Sequence, residues 1–320
     1  MRALPPLAGF WRRFAAWFID LVFLGVIGQA LGWALASFWF RVGPDARVVG
    51  LLVLLAYFGV MGSRVTNGQT LGKRLLKIAV RDADGKPIGV GRALLRAAFL
   101  VVPYILNGWA SPVFEIGILS WIDSVVVFGM GGAILYTMLF NRRARQGLHD
   151  LICNTYVVRL GGEPVASFPA TGRAHWIVVG VLVALAAAGT AAGNVFAPSI
   201  MKRTEIASLD QLSRTLKADG RFFTVSANDL TMQSSQGGTS RILQVQVWYK
   251  GRPSEAEAHE IMKGLAKVVL ESTGSADRYD LLRFSVTSAF DLGIASSNHE
   301  SHDGEPPDVW RQRLGSGASP

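Results

Sequence analysis

Hydrophobic residues follow two different regimes along this chain. Up to about residue 200 they form long unbroken runs, at 14–40, 48–62, 97–106, 122–140 and 175–197. A helix needs about 20 residues to cross a hydrocarbon core. The runs therefore predict about five transmembrane helices, at about 14–40, 46–63, 93–110, 119–140 and 175–197. The third is short and interrupted by Pro103, and NGWASPVFE after it reads as a turn. Beyond residue 201 the pattern shortens. RFFTVSANDLTMQ and RILQVQVWYKG read as strands joined through a hairpin turn at SSQGGTS. Ser254 with Glu257 forms a capping-box pattern. It opens a helix to about Ser272 with Ala258, Ile261, Met262, Leu265 and Val269 on one side, and Gly274 suits its end. RYDLLRFSVTSAFDLG reads as another strand, and 202–218 as a helix leading out of the membrane.

The fold class expected is a membrane all-α helical bundle of about five transmembrane helices, followed by a small soluble α+β domain with one helix on an antiparallel sheet. Residues 1–160 form the transmembrane domain, 161–200 a linker plus the fifth helix, 201–295 the α+β domain, and 296–320 a flexible tail.

Charge adds an orientation. The net charge of +9 divides into +10 for residues 1–200 and −1 for the remainder. With a cytoplasmic N-terminus and five spans, the inside segments 1–13, 64–96 and 141–174 hold 3, 8 and 5 Lys+Arg, which is 16 of the 18 in that half. Only Arg41 and Arg47 fall outside. This is the asymmetry of the positive-inside rule, and it places the C-terminal domain outside the cytoplasm. Positive charge in short loops between apolar runs is an orientation signal, so no nucleic-acid partner is expected. The partners expected are the lipid bilayer, anionic headgroups at the cytoplasmic face, a small cation or solute, and a second copy or another protein. The single cysteine, Cys153, excludes an internal disulfide and any Cys/His metal spacing. The first apolar run is too long for a cleavable signal peptide.

Asp20 is the residue that demands a reason. It lies within the first apolar run, seven residues after Arg13, with Trp17 between them. At about 100° per residue Arg13 and Asp20 share a helix face about 10 Å apart along the axis. A carboxylate in hydrocarbon costs on the order of 2.5–3.5 kcal/mol on insertion scales. Asp20 must then face the bundle interior with Leu21, Leu24 and Gly28, while Phe18, Val22 and Phe23 point outward.

Three blocks, AGFWRRFAAWFID at 8–20, NGQTLGKRLLKIAVRDADGKPIGVGRALLR at 67–96 and RRARQGLHDLICNTYVV at 142–158, resemble those of the RDD family of bacterial membrane proteins. That family is named for one arginine and two aspartates. The resemblance covers about 7–159 and matches them to Arg13, Asp20 and Asp150. It implies a multi-span domain of the bacterial cell (inner) membrane, of largely uncharacterised function and often connected with transport.

The residues themselves add partners. Arg13 and Asp150 sit at one level and can close the bundle there, with Arg142, Arg143 and Arg145 competing. Asp20 lies deeper, and Lys73 and Arg74 are its candidate cations if their segment re-enters. Either these charges are packing clamps, or Asp20 is a protonatable or ion-binding group on a transport path. NGQTLGKR fails as a phosphate loop, because three residues separate Gly68 and Gly72 and Arg74 replaces the Ser/Thr. A basic interfacial helix or strand at 70–81, then a turn at Asp82–Gly85, is the plainer reading. Glu115 and Asp123 fit the outer interface, or a cation route above Asp20. His149 fits a surface hydrogen bond, or a proton shuttle. His299, Glu300, His302, Asp303 and Glu305 could ligate metal, though their segment has the composition of a flexible tail. No nucleophile triad or carboxylate pair can be argued, so neither an enzyme nor a cofactor is expected. Two functions stay open: transport of an ion or small solute past Asp20, or a non-transporting scaffold or sensor with an extracytoplasmic α+β interaction domain.

Overall fold

The computed structural model describes residues 4–109, 111, 117–201, 204–233, 239–272 and 276–315. Glu115, Gly274 and residues 234–238 of the expected hairpin turn lie outside them. The chain divides into two compact units. One comprises residues 1–33, 45–194 and 292–295, and the other 34–44, 195–291 and 296–320.

In the first unit, α1 (Phe10–Ala34) buries Ala16, Asp20, Leu24, Gly28 and Gly32. That spacing of four is one stripe of a helix. Phe18, Val22 and Phe23 are exposed and Leu21 is half-buried. A short α2 (Ala36–Val42), counted with the second unit, and a 3-10 turn lead into α3 (Arg47–Met61), then α4 (Leu71–Leu75), strand β1 (Ile78–Arg81) and α5 (Val90–Leu106). A further helix runs through α6 (Gly117–Ser124), a π-helical stretch (Val125–Met130) and α7 (Gly131–Phe140). Then come α8 (Leu148–Ile152), strand β2 (Tyr156–Arg159) and α9 (Arg173–Met201). Among the described residues, four helices are long and apolar enough to cross a membrane: Phe10–Ala34, Ala36–Met61, Gly117–Phe140 and Arg173–Gly193. The 17-residue α5 is shorter. It is nonetheless packed along α3, where Leu54 and Phe58 meet Ala97, Val101 and Ile105.

Of the two forms expected for 70–81, helix or strand, the structure has both, α4 and then β1, while β2 had no counterpart in the hydropathy pattern. β1 and β2 pair antiparallel from Ile78↔Arg159 to Arg81↔Tyr156, and β1 is buried throughout. The chain before α1 lies along β2, with Ala8 N–H donating to Val157 and Arg159 N–H to Pro6 at 2.9 and 2.8 Å. This pairing fixes where α1 begins.

In the second unit, α10 (Thr204–Lys217) precedes strands β3 (Phe222–Gln233) and β4 (Thr239–Tyr249). Then follow α11 (Glu255–Ser272), β5 (Leu281–Asp291), β6 (Ser296–Glu305) and α12 (Pro307–Gly315). Ser254 Oγ accepts the Glu257 N–H at 3.2 Å, which caps α11. The sheet order is β3-β4-β5-β6. Alternate residues Leu243, Val245 and Val247 of β4 and Leu282, Phe284 and Val286 of β5 form one core with α10, α11 and Trp310.

Two expectations are corrected. The sheet is mixed, because β4 and β5 run parallel. The helical crossover α11 between them returns the chain to the same end, as parallel neighbours require. Residues 296–320 are not a flexible tail over their described part. β6 pairs with β5 from Leu282↔Glu305 to Asp291↔Ser296, and α12 inserts Trp310, fully buried, with Nε1 donating to the Leu282 carbonyl at 3.1 Å. The polar composition of β6 reflects its place at the sheet edge, where alternate side chains are exposed.

Candidate functional site

The charged residues of the first unit form two clusters. The first surrounds Asp20, whose side chain is wholly buried. Its Oδ1 accepts the Tyr57 hydroxyl at 2.7 Å and the Gly72 N–H at 2.8 Å, and its Oδ2 accepts the Thr70 hydroxyl at 2.5 Å. The segment before β1 does re-enter, but it presents the first turn of α4 to the carboxylate. Thr70 caps that helix, and the Leu71 N–H donates to the Tyr57 oxygen at 3.2 Å. Glycine at 72 is required for the approach: a Cβ there would lie 2.0 Å from the Ala16 carbonyl oxygen. The expected cation partners of Asp20 are thus replaced by three neutral donors. Arg74 is exposed, and Lys73 turns its ammonium to the Thr70 hydroxyl at 3.4 Å and over the Phe58 ring at 5.8 Å. The physical reason is that helix-terminal N–H groups and hydroxyls solvate a carboxylate without the cost of burying a second charge.

The second cluster centres on Asp150, also wholly buried. Arg13 reaches from α1 to Asp150 Oδ2 and to the Arg145 carbonyl. Arg96, from the second turn of α5, donates to Oδ1 through Nε at 2.8 Å and Nη2 at 2.7 Å. The Thr155 hydroxyl adds a bond at 3.2 Å and the Gly147 N–H one at 3.3 Å. Burial alone would raise this carboxyl, but Arg96 and Arg13 outweigh it and hold it well below the usual carboxylate range. Of the expected competitors, Arg145 contributes its carbonyl to Arg13, while its guanidinium donates to the Leu7 carbonyl at 3.2 Å.

His149 is corrected from a surface position to a buried one, 2% exposed. α8 packs against α5 and α7, and Gly147, lacking a side chain, makes room for the ring. Its Nε2 lies 3.5 Å from Asp150 Oδ2, and its Nδ1 is buried without a hydrogen-bond partner. Burial pushes its pKa down to about 3, so the imidazole is neutral at pH 7.

Arg13, Lys73, Arg96 and His149 all line one cavity of about 260 Å³. The remaining wall is apolar, with Phe14, Trp17 and Phe58 on one side and Leu100, Ile134, Leu135, Met138 and Leu139 on the other. Neither carboxylate lines it. Lys73 has no carboxylate among its bonded partners, and burial draws its pKa down to about 8. Asp123, in α6, belongs to neither cluster and leaves Oδ1 without a hydrogen-bond partner. In the second unit, Arg313 engages Asp303 and Glu305. Among the described residues no group of three or more His, Cys, Asp or Glu side chains is placed to hold a metal ion.

Sequence reasoning missed Arg96, Tyr57 and Thr70. Arg96 had been counted only as a loop charge. Its position inside ALLRAAFLVV, an otherwise apolar stretch, was the signal that it needed a buried partner.

An N-terminal bundle of apolar helices closed at one end by a buried Arg–Asp–Arg cluster, with a sheet-containing unit after it, defines a multi-span membrane protein. In comparison, residues 7–154, just under half of the chain, match the model of the RDD family. The chain is also similar to two Bacillus subtilis (strain 168) proteins. With the protein described as Uncharacterized protein YxaI it is 27% identical over 173 residues, 47% of this chain and 96% of the relative. With Uncharacterized protein YckC it is 25% identical over 150 residues, 47% of this chain and 83% of the relative. No solved structure matches.

Proposed function

We propose that the RDD-type bundle binds an anionic solute for transport or sensing, and that it does no chemistry on it. The observation that carries this reading is the sign of the cavity lining: three cations, Arg13, Lys73 and Arg96, line it, while the two nearby carboxylates, Asp20 and Asp150, stand behind the wall. Asp20, the candidate for a cation path, already has three of its roughly four lone-pair sites taken by neutral donors, so a cation would have to compete with them. A cationic site under apolar walls strengthens attraction for an anion, because the local dielectric is low.

The protein sits, in this reading, in a bacterial inner membrane with its N-terminus in the cytoplasm and residues 201–320 outside it. The 16-to-2 division of basic residues supports this. A scaffold or sensor role remains compatible with the sheet unit, which has a core of its own.

The test is thermal unfolding of the detergent-purified protein against matched panels of soluble anions, including inorganic phosphate and glycerol phosphate, and of alkali cations. Anions should raise the midpoint in the wild type and not in Lys73→Gln. Stabilisation by a cation that disappears in Asp20→Asn would overturn the reading in favour of a cation site.

A further inference from the structure

The cavity is not walled off from the surface of the bundle. Phe14, Leu135 and Leu139 line it and are themselves 41%, 64% and 47% exposed. All three are apolar and lie on α1 and α7, helices long and apolar enough to cross a membrane. A cavity mouth bordered by such residues opens sideways, toward acyl chains. The floor is opposite in character, with the guanidinium groups of Arg13 and Arg96, the ammonium of Lys73 and the imidazole of His149. One end therefore asks for a charged oxyanion and the other for hydrocarbon.

We propose that this cavity is a binding site for an anionic phospholipid of the surrounding bilayer, entering sideways between α1 and α7. This rests on the anion reading above and names its ligand class. The phosphate is held by Lys73, whose ammonium meets the Thr70 hydroxyl and the Phe58 ring and makes no ion pair among the described residues, with Arg13 and Arg96 behind it. An acyl chain leaves across Leu135 and Leu139. The volume fits this division: the cavity measures about 260 Å³. That accommodates a headgroup phosphate and its first methylenes, with the rest of the lipid outside.

A second, independent observation points to a ligand. His149 lines the cavity, is nine-tenths or more buried, and has no partner at Nδ1. Nε2, next to the Asp150 carboxylate, carries the ring proton, which leaves Nδ1 as an acceptor. A buried acceptor without a donor is costly. A headgroup that brings a hydroxyl beside its phosphate, as phosphatidylglycerol does, matches both the cations and this acceptor. A zwitterionic choline headgroup supplies no hydroxyl and adds a positive charge where three already stand.

The experiment is native mass spectrometry of the full chain taken from phosphatidylcholine nanodiscs doped with phosphatidylglycerol, with soluble glycerol phosphate as a separate arm. The wild type should retain phosphatidylglycerol selectively. Lys73→Gln, which removes one charge-assisted contact, should reduce retention by about tenfold, and Lys73→Arg should restore most of it. Leu139→Trp, which fills the lateral mouth, should reduce lipid retention and leave glycerol phosphate binding intact. If glycerol phosphate binds and the lipid is not selected, the lipid assignment fails while the anion reading stands. If neither binds, both fail. Equal retention by wild type and Lys73→Gln also overturns the assignment. Thermal unfolding of each variant confirms that it is folded before its lipid content is compared.

Discussion

The backbone N–H of Gly72 donates to the carboxylate of Asp20 at 2.8 Å, across 52 residues of chain. With the Tyr57 and Thr70 hydroxyls this makes Asp20 a staple between α1, α3 and the re-entrant α4. Removing the acceptor strands three buried donors, each costing about 1–3 kcal/mol. Asp20→Ala should therefore lower stability by several kcal/mol, and Asp20→Asn, which keeps one acceptor oxygen, by less. Gly72→Ala should act similarly, because its Cβ would meet the Ala16 carbonyl oxygen at 2.0 Å. Thermal unfolding in detergent reads all three, and an Asp20→Ala protein as stable as wild type would refute the staple.

Asp150 should prove the more sensitive carboxylate, because two arginines depend on it. Breaking a buried ion pair from one side costs about 3–5 kcal/mol, so Asp150→Asn and Arg96→Met should each be severely destabilising. The pH sign follows from its depressed pKa. The contribution of Asp150 is complete above the unfolded value of about 3.9 and is lost only as pH falls through the lower folded value. Acid titration of stability should accordingly show an Asp150-dependent loss below roughly pH 4. Loss of that stability between pH 5 and 7 would contradict the pairing.

What could be read from the residues was what has a period or a sign. Unbroken apolar runs exposed the spanning helices, and the alternation in RILQVQVW exposed β4. Arg13, Asp20 and Asp150 were conspicuous because charge beside or within an apolar run is expensive. Two things were not legible. β1 is only four residues long and buried on both faces, so IAVR shows no alternation that could decide between helix and strand within 70–81. The choice of neutral donors for Asp20 depends on where α4 lands, which no local pattern encodes. β6 was misread for a related reason: SSNHESHDGE owes its strand to pairing with β5, and tertiary pairing overrode a composition typical of loops.

Lys73 supplies a pH test of the cavity. Burial draws its pKa down to about 8. Once the phosphate monoester's own second ionisation at about pH 6 is complete, anion affinity should fall as pH rises through about 8, where the ammonium loses its proton. Stability should move the other way. The unfolded chain keeps its proton up to about pH 10.4, so it binds more protons than the folded state between the two values, and stability rises with pH there. Lys73→Arg should flatten both profiles. Isothermal titration with glycerol phosphate at several pH values measures the first. An affinity that persists unchanged above pH 9 would remove Lys73 from the site.

The C-terminal segment should be needed for the second unit to fold. Trp310 is fully buried, packs edge-on against Phe284 at 5.2 Å between ring centroids, and donates to the Leu282 carbonyl. Trp310→Ala should cost about 3–5 kcal/mol, and truncation after Asp291 should be worse, because it also removes β6. Limited proteolysis reads this directly: the truncated chain should be cleaved between β3 and β5 far faster than wild type. Equal resistance would restore the tail to a dispensable role.

The topology rests on whether α5 crosses. Its 17 residues amount to about 25 Å of helix, a few ångströms less than a typical hydrocarbon core of about 30 Å. Its ends nevertheless reach features at opposite ends of the bundle. Near its start Arg96 bonds Asp150, beside Arg13 at the beginning of α1. At its end the Ile105 and Asn107 carbonyls accept from Arg47, the first residue of α3, at 2.7 and 2.8 Å. A helix that joins the start of α1 to the start of α3 runs the length of the pair. Counting it as a span makes the number odd and keeps Arg142, Arg143 and Arg145 on the cytoplasmic side. A reporter active only in the cytoplasm, fused after Gly315, should therefore be silent, while the same reporter fused after Arg81 should be active. Activity at both positions would mean that α5 does not cross, and would place the sheet unit in the cytoplasm.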